Sequence, residues 1–336
     1  MLANRGPDRP RWKPLPDPQR LQNPYQKNTV LFINRHIPPR HSAQTTRKKH
    51  GAQEPVSRTN QIVHALKVVD ILRYGLGSQI LRCQLGEDTS QEYVAKVYDP
   101  LYYQYGPDRP DDVTWRAEHD YSREAAAYEE LDAKGVAGAF TPKYFGSWTF
   151  DMPLVVEPYV ARPVRMILLG WIEGGVTMKS LVETNRVKNI PPNQRLEILA
   201  KAMEVECGIL FHGVNQRDFA PRNIILAGPD VENEMPDIYL FNFNASTVFS
   251  RPNFRYPKPI TSRAFCPRYR YWGQCPAEFV DWVPKPHRTR RPAFLGWLKT
   301  RWLALDESTG TLGTTTRPLK DFDEPVEFCP PEWDTD

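Results

Sequence analysis

The sequence predicts an α+β protein: a small β-rich lobe and then a mainly helical lobe, set between two proline-rich ends. Three observations lead there. Of 33 prolines, nine lie in residues 1–60, twelve in residues 252–336, and none between Val56 and Asp99. A strand ladder has no use for a residue without an N–H, so the proline-free stretch is where a sheet can form. From Gln61 onward, short apolar runs separated by glycines give way to apolar residues at helical spacing. Charge divides in the same way: residues 1–60 hold twelve Lys/Arg against three Asp/Glu, and residues 61–336 carry a net −5. A hydrophobic share of 40% is enough for a buried core and excludes a fully disordered chain, while the two ends exclude a wholly globular one.

The expected partition is a disordered basic proline-rich tail over 1–60, a β-rich lobe over 61–170, a helical lobe over 171–310 and a disordered acidic tail over 311–336. One short strand is possible inside the first tail, at Thr29–Ile33. The first lobe opens with three strands joined by tight turns: Ile71–Gly75, Ile80–Leu85 and Glu92–Tyr98, the last rich in β-formers. A helix follows, capped by Thr114, with Ala125, Ala126, Tyr128 and Leu131 at helical spacing and Gly135 to stop it. Strand signals return at Lys143–Phe145 and Leu154–Val156, and Val164–Ile172 reads as a buried strand opening into a loop. Thr177 caps a short helix through about Arg186, and Asn193 a longer one through Phe211 with Leu196, Leu199, Met203 and Leu210 on one face. Asn223–Leu226 and Ile238–Phe243 are short strands. Ala293–Leu305 carries Phe294, Trp297, Leu298 and Trp302 at helical spacing.

Several classes are excluded or left without support. The polar start lacks the apolar stretch of a signal peptide, and no run of about 18 uncharged apolar residues is present to span a membrane. Five cysteines without a Cys-x-x-Cys spacing argue against both a zinc site and a disulfide framework, so an intracellular, reducing compartment is expected. The basic tail, with Arg47-Lys48-Lys49, could touch nucleic acid, acidic lipid or an acidic partner through non-specific charge, but a solvated arm is the simpler account and no nucleic-acid partner is expected.

The chemistry concentrates in Gln216-Arg217-Asp218-Phe219-Ala220-Pro221-Arg222-Asn223, which runs into Ile224-Ile225-Leu226. An acid and an amide five residues apart, after a long helix and before a strand, resemble the catalytic loop of protein kinases. Three further features stand in that family's order. Val94-Ala95-Lys96 resembles its phosphate-pairing strand, Glu124 lies on the next helix, and Gly75-Leu76-Gly77 lies on the hairpin before Lys96, although Ile80 stands where a third glycine would be. The run ending in Trp171-Ile172-Glu173-Gly174 looks like a hinge between lobes. The wording of the loop is also similar to kinase-like proteins of filamentous fungi and to aminoglycoside phosphotransferases.

The resemblance implies a two-lobed kinase-like fold that binds ATP. Asp218 would be the catalytic base, Lys96 the phosphate clamp held by Glu124, and Gly75, Gly77 and Trp171 part of the nucleotide site. Asn223 and Asn242 would be the ligands of Mg²⁺. At Asn242 the pattern breaks, because the family has an aspartate before Phe243. An amide offers an oxygen without the charge that holds a hard cation, so metal binding is expected to be weak or absent. Gln216 also replaces a histidine, and Pro276-Ala277-Glu278 is a loose echo of the family's Ala-Pro-Glu. Two functions follow: transfer of the ATP γ-phosphate to a hydroxyl, most simply of a protein, or a pseudokinase that keeps the fold as a binding or scaffold protein.

Overall fold

The computed structural model describes residues 23–38, 63–105, 112–155, 160–251 and 266–302, apart from Leu76, Asp88 and Gln274. The expected acidic tail over 311–336, the Arg47-Lys48-Lys49 cluster and most of the N-terminal tail lie outside these residues. The chain divides into two compact units, one of Met1–Glu129 with Tyr144–Trp171, the other of Glu130–Lys143 with Ile172–Asp336.

The first unit is built on six antiparallel strands: β1 (Val30–Arg35), β2 (His64–Arg73), β3 (Gln79–Leu85), β4 (Glu92–Tyr98), β5 (Tyr144–Val155) and β6 (Val160–Gly170). They close into a barrel in the order β1-β2-β3-β4-β6-β5. Alternation explains the closure, since one set of side chains from each strand points inward. Leu31 and Ile33 of β1, Leu66 and Val68 of β2, Leu81 and Cys83 of β3, and Ala95 and Val97 of β4 share one core. Trp148, Phe150, Val164, Met166 and Leu168 complete it from β5 and β6.

This barrel corrects two expectations. A closed six-stranded barrel is not the usual sheet of the kinase family. Its closing strand, β1, comes from the stretch expected to be a disordered tail, with Ile33 opposite His64 and Arg35 opposite Trp148. The segment before β1 is anchored as well. Tyr25 is fully buried, and its hydroxyl donates to Asp99 Oδ2 at 2.6 Å. Asp99, itself fully buried, also accepts from Arg162 and from the Leu101 N–H, so the carboxylate is satisfied on every side. At the β1–β5 seam Arg35 donates to the Phe145 carbonyl at 2.8 Å and lies over the Trp148 ring. Gly146 is favoured there by its φ of +99°, a backbone that side-chain-bearing residues resist, and it leaves room for that guanidinium.

Two smaller expectations change. The signals at Lys143–Phe145 and Leu154–Val156 fall at the two ends of the single strand β5, which the described residues show over Tyr144–Val155 and whose pairing with β6 is interrupted at both ends by register shifts. The helix between β4 and β5, α1 (Val113–Ala133), is capped by Asp112, whose Oδ1 accepts from the N–H of Thr114 and Trp115, and not by Thr114.

In the second unit, β7 (Val176–Thr177) leads into α2 (Met178–Glu183), which Thr177 caps by accepting the Ser180 N–H at 3.0 Å. The helix ends at Glu183, not Arg186, because Asn185 turns left-handed and a 3₁₀ turn over Arg186–Asn189 takes its place. The long helix α3 (Pro192–Phe211) starts after Pro191 without a side-chain cap, so Asn193 sits within its first turn. Strand β8 (Val214–Asn215) pairs with β11 (Thr247–Val248), and β9 (Ile224–Ala227) lies between β7 and β10 (Asp237–Leu240). Short helices α4 (Pro267–Arg270) and α5 (Lys285–Thr289) precede α6 (Arg291–Arg301). The proline- and tryptophan-rich stretch is held in the core: Trp282 donates to the Arg195 carbonyl and Trp302 to Glu204, both at 2.9 Å, and Phe294 and Leu298 are fully buried. Among the described residues, no helix is long and apolar enough to cross a membrane.

Candidate functional site

Within the first unit, Lys96 and Glu124 meet. Strand alternation puts Lys96 on the face of β4 opposite the core residues Ala95 and Val97, and α1 presents Glu124 to it; the ammonium pairs with Glu124 Oε2 while both side chains are almost wholly withdrawn from water. The Tyr98 hydroxyl donates to the same oxygen at 2.7 Å. Burial, and after it the Glu124 charge, pushes the Tyr98 hydroxyl pKa well above its ordinary value, so it serves as a donor. The second carboxylate oxygen, Glu124 Oε1, is buried without a hydrogen-bond partner. One turn earlier on α1, Asp120 has its pKa raised by burial, against the pull of Lys96.

The glycine hairpin between β2 and β3 is present, but it is satisfied internally. The Gly75 N–H donates to Gln79 Oε1 at 3.0 Å, and Gln79 Nε2 donates to the Gly77 carbonyl at 2.8 Å. Gln79 is fully buried, and its place in the sequence gives no hint of this role. Gly75, at φ +84°, adopts a backbone that other residues resist. Trp171 follows β6; its N–H donates to the Glu92 carbonyl at 3.3 Å, and the Arg82 guanidinium lies 5.0 Å from its ring.

Within the second unit, Asp218, Asn223 and Asn242 form one hydrogen-bonded chain. A 3₁₀ turn over Pro221–Asn223 folds Asn223 back, so that its Nδ2 donates to the Asp218 carbonyl at 2.8 Å and to Asp218 Oδ2 at 2.7 Å. The direction of the amide follows from chemistry: an ionised carboxylate only accepts, so Asn223 must turn its nitrogen towards Asp218 and its oxygen away. That oxygen, Asn223 Oδ1, then accepts from Asn242 Nδ2 at 3.0 Å. An ionised aspartate at position 242 could not donate this bond. Two non-glycine residues with left-handed backbones, Arg217 at φ +64° and Asn242 at φ +65°, flank the arrangement, which marks local strain at the loop and after β10.

Two contacts here were not foreseen. Gln216 is fully buried and donates to the Phe241 carbonyl at 2.7 Å, tying the loop to the residue before Asn242; its Oε1 is buried without a partner. Arg222 pairs with Asp218 Oδ1 and donates to Glu278 Oε2 at 2.7 Å. Burial disfavours its charge, but Glu278 and Asp218 outweigh that and raise its pKa. The signal for this contact was the acid of Pro276-Ala277-Glu278. Asp237 pairs with Ala227 at the end of the β9–β10 ladder remote from Asn223, whose neighbour Ile224 pairs with Leu240, so it does not supply the missing charge.

The donor set does not suit Mg²⁺. The oxygen Asn223 would offer is already accepting from an amide N–H, and both Asp218 oxygens are engaged. Among the described residues, no group of three or more His, Cys, Asp or Glu side chains could hold a metal ion.

No protein-family model and no curated protein matches the chain. Among solved structures, it is similar to WaaP in complex with acyl carrier protein, at 16% identity and a TM-score of 0.35 over 71% of this chain and 86% of that one. It is also similar to the PknI kinase domain of Mycobacterium tuberculosis, at 17% identity and a TM-score of 0.35 over 53% of this chain and 59% of that one. Likeness at this level assigns neither a fold nor an activity, and the contacts above stand on their own.

Proposed function

We propose that the chain is a protein-kinase-like pseudokinase: a protein that binds nucleotide and acts by binding, with its metal site replaced by an internal hydrogen-bond chain. The observation that carries this reading is the Asn242 amide donating to Asn223 Oδ1, the atom a metal would need. The kinase-like assignment is supported by order and by local pairing. Lys96 meets Glu124 from the next helix, and Asp218 meets Asn223 between a long helix and a strand. ATP would bring its own phosphate charge to Lys96, which Glu124 holds, and Gly75 would have to leave Gln79 to offer its N–H. No phosphoryl-transfer step is derived, because the metal it requires does not fit the donors present.

An active phosphotransferase acting on protein hydroxyls is the second reading, favoured by the retained Asp218 and the intact Lys96–Glu124 pair. A thermal-shift titration of the full chain with ATP, in EDTA and in Mg²⁺, separates the two. The pseudokinase reading expects the same rise in melting temperature in both buffers, lost in Lys96→Met. Magnesium-dependent phosphate transfer by the wild type, abolished by Asp218→Ala, would establish the second reading. No rise in either buffer would remove nucleotide from the proposal.

A further inference from the structure

We propose that Arg222 is the resident cation of the Asp218 site. Its guanidinium takes the charge-balancing place of a divalent metal, so an aspartate restored at position 242 is not enough to restore metal binding. This inference rests on the metal-free reading above and deepens it by naming what stands in for the metal.

The 3₁₀ turn over Pro221–Asn223 places two consecutive side chains on the two oxygens of one carboxylate: Arg222 on Asp218 Oδ1 and Asn223 on Asp218 Oδ2. The other arm of the guanidinium reaches Glu278 Oε2 at 2.7 Å, so a single cation bridges two acids. Arginine suits this role because its planar fork can serve two carboxylates at once and its charge is permanent. The neighbouring Phe219 ring lies 4.8 Å from that of Phe279 and 5.4 Å from that of Tyr271, which ties the loop to the segment that carries Glu278. A divalent ion arriving at Asn223 Oδ1 would find its counter-charge already neutralised and a fixed positive charge beside it. The ion pairs are partly exposed, Arg222 at 44% and Glu278 at 55% of their side-chain surface, so they add little to stability. Their effect is therefore on which cation the site accepts, and that separates this role from a merely structural one.

Mn²⁺ binding to the full chain, followed by electron paramagnetic resonance, tests the proposal in the wild type and in Asn242→Asp, Arg222→Gln, Arg222→Gln/Asn242→Asp and Arg222→Lys/Asn242→Asp. The wild type and Arg222→Gln should bind no Mn²⁺ at the site, and Asn242→Asp only weakly. The Arg222→Gln double variant should bind at least about tenfold more tightly than Asn242→Asp. Arg222→Lys/Asn242→Asp should behave as Asn242→Asp, because it keeps the charge. Equal affinity of Asn242→Asp with and without Arg222 would overturn the proposal. Tight Mn²⁺ binding by the wild type would overturn the metal-free reading beneath it, a different result from a different sample.

Discussion

The two units treat their charged residues in opposite ways. In the barrel unit, Lys96 and Glu124 pair directly where water is excluded, with Tyr98 adding a third polar contact. In the second unit, Asp218 is partly exposed and is held by the Asn223 amide and the Arg222 guanidinium, with Asn242 in turn donating to Asn223. The first arrangement is expensive to desolvate and depends on both partners being present. The second is close to self-satisfied: each donor finds an acceptor, and the carboxylate has no oxygen to spare. A matching residue type at a matching position therefore says little until its hydrogen bonds are traced. Lys96 and Glu124 hold the pairing that the family resemblance implies, whereas Asn223 and Asn242 are bonded to each other.

The largest test of this contrast is Glu124→Leu. It leaves the Lys96 ammonium and the Tyr98 hydroxyl without their acceptor in a dry site, and should cost about 3–5 kcal/mol in urea unfolding. Adding Lys96→Met should recover most of that loss, since two apolar side chains can replace a buried pair at little net cost. Asp218→Ala should cost only about 1–2 kcal/mol, because Asn223 Nδ2 retains the Asp218 backbone carbonyl and Arg222 retains Glu278. If Asp218→Ala proved as damaging as Glu124→Leu, the claimed difference between the units would fail.

A smaller effect tests how the barrel closes, which is also where the sequence was least legible. The three strands before α1, the long helix α3 and the aromatic face of α6 could be read from periodicity, and the pairing of Lys96 with Glu124 was implied by the family resemblance. Strand β1 was legible as a possible short strand at Thr29–Ile33, but its place in the barrel was obscured because it sits among prolines and basic residues and its partner β5 lies more than a hundred residues away. Strand β5 looked like two strands because Asp151-Met152-Pro153 breaks its apolar pattern. At the site, residue types were legible but bond directions were not: that Asn242 donates to Asn223 depends on which way Asp218 forces the amide to turn. Ile33→Ala decides the status of β1. Ile33 is fully buried, so its truncation should cost about 2–3 kcal/mol, the low end of cavity costs. The neighbouring Phe32→Ser, on a side chain 66% exposed, should be nearly neutral. Two neutral outcomes would return residues 30–35 to the role of a tail.

The smallest expected effect is a pH dependence carried mainly by the barrel unit. There the pKa of His36 is depressed to about 4 by burial and then by the Arg165 charge, and that of His119 to about 4 by burial and then by Arg123. In the second unit His287 is depressed to about 4 by burial. A histidine held neutral in the fold takes up a proton near pH 6.5 once unfolded, so acid favours the unfolded chain. The stability these groups contribute is complete above about pH 6.5 and is lost as the pH falls from there towards 4. The His36 ring is also held by Tyr121, whose hydroxyl, its pKa raised by burial, shares a hydrogen bond with Nδ1. His36→Gln should therefore flatten the decline in melting temperature between pH 6.5 and 4 and leave pH 7.5 little changed. His287→Gln should remove a similar part of the same slope, because its pKa is depressed to the same value, and the barrel unit carries more of the total only because it holds two such histidines. If His36→Gln kept the wild-type slope, the imidazole would not be buried neutral against Tyr121, and the acid sensitivity would have to be sought in the carboxylates instead.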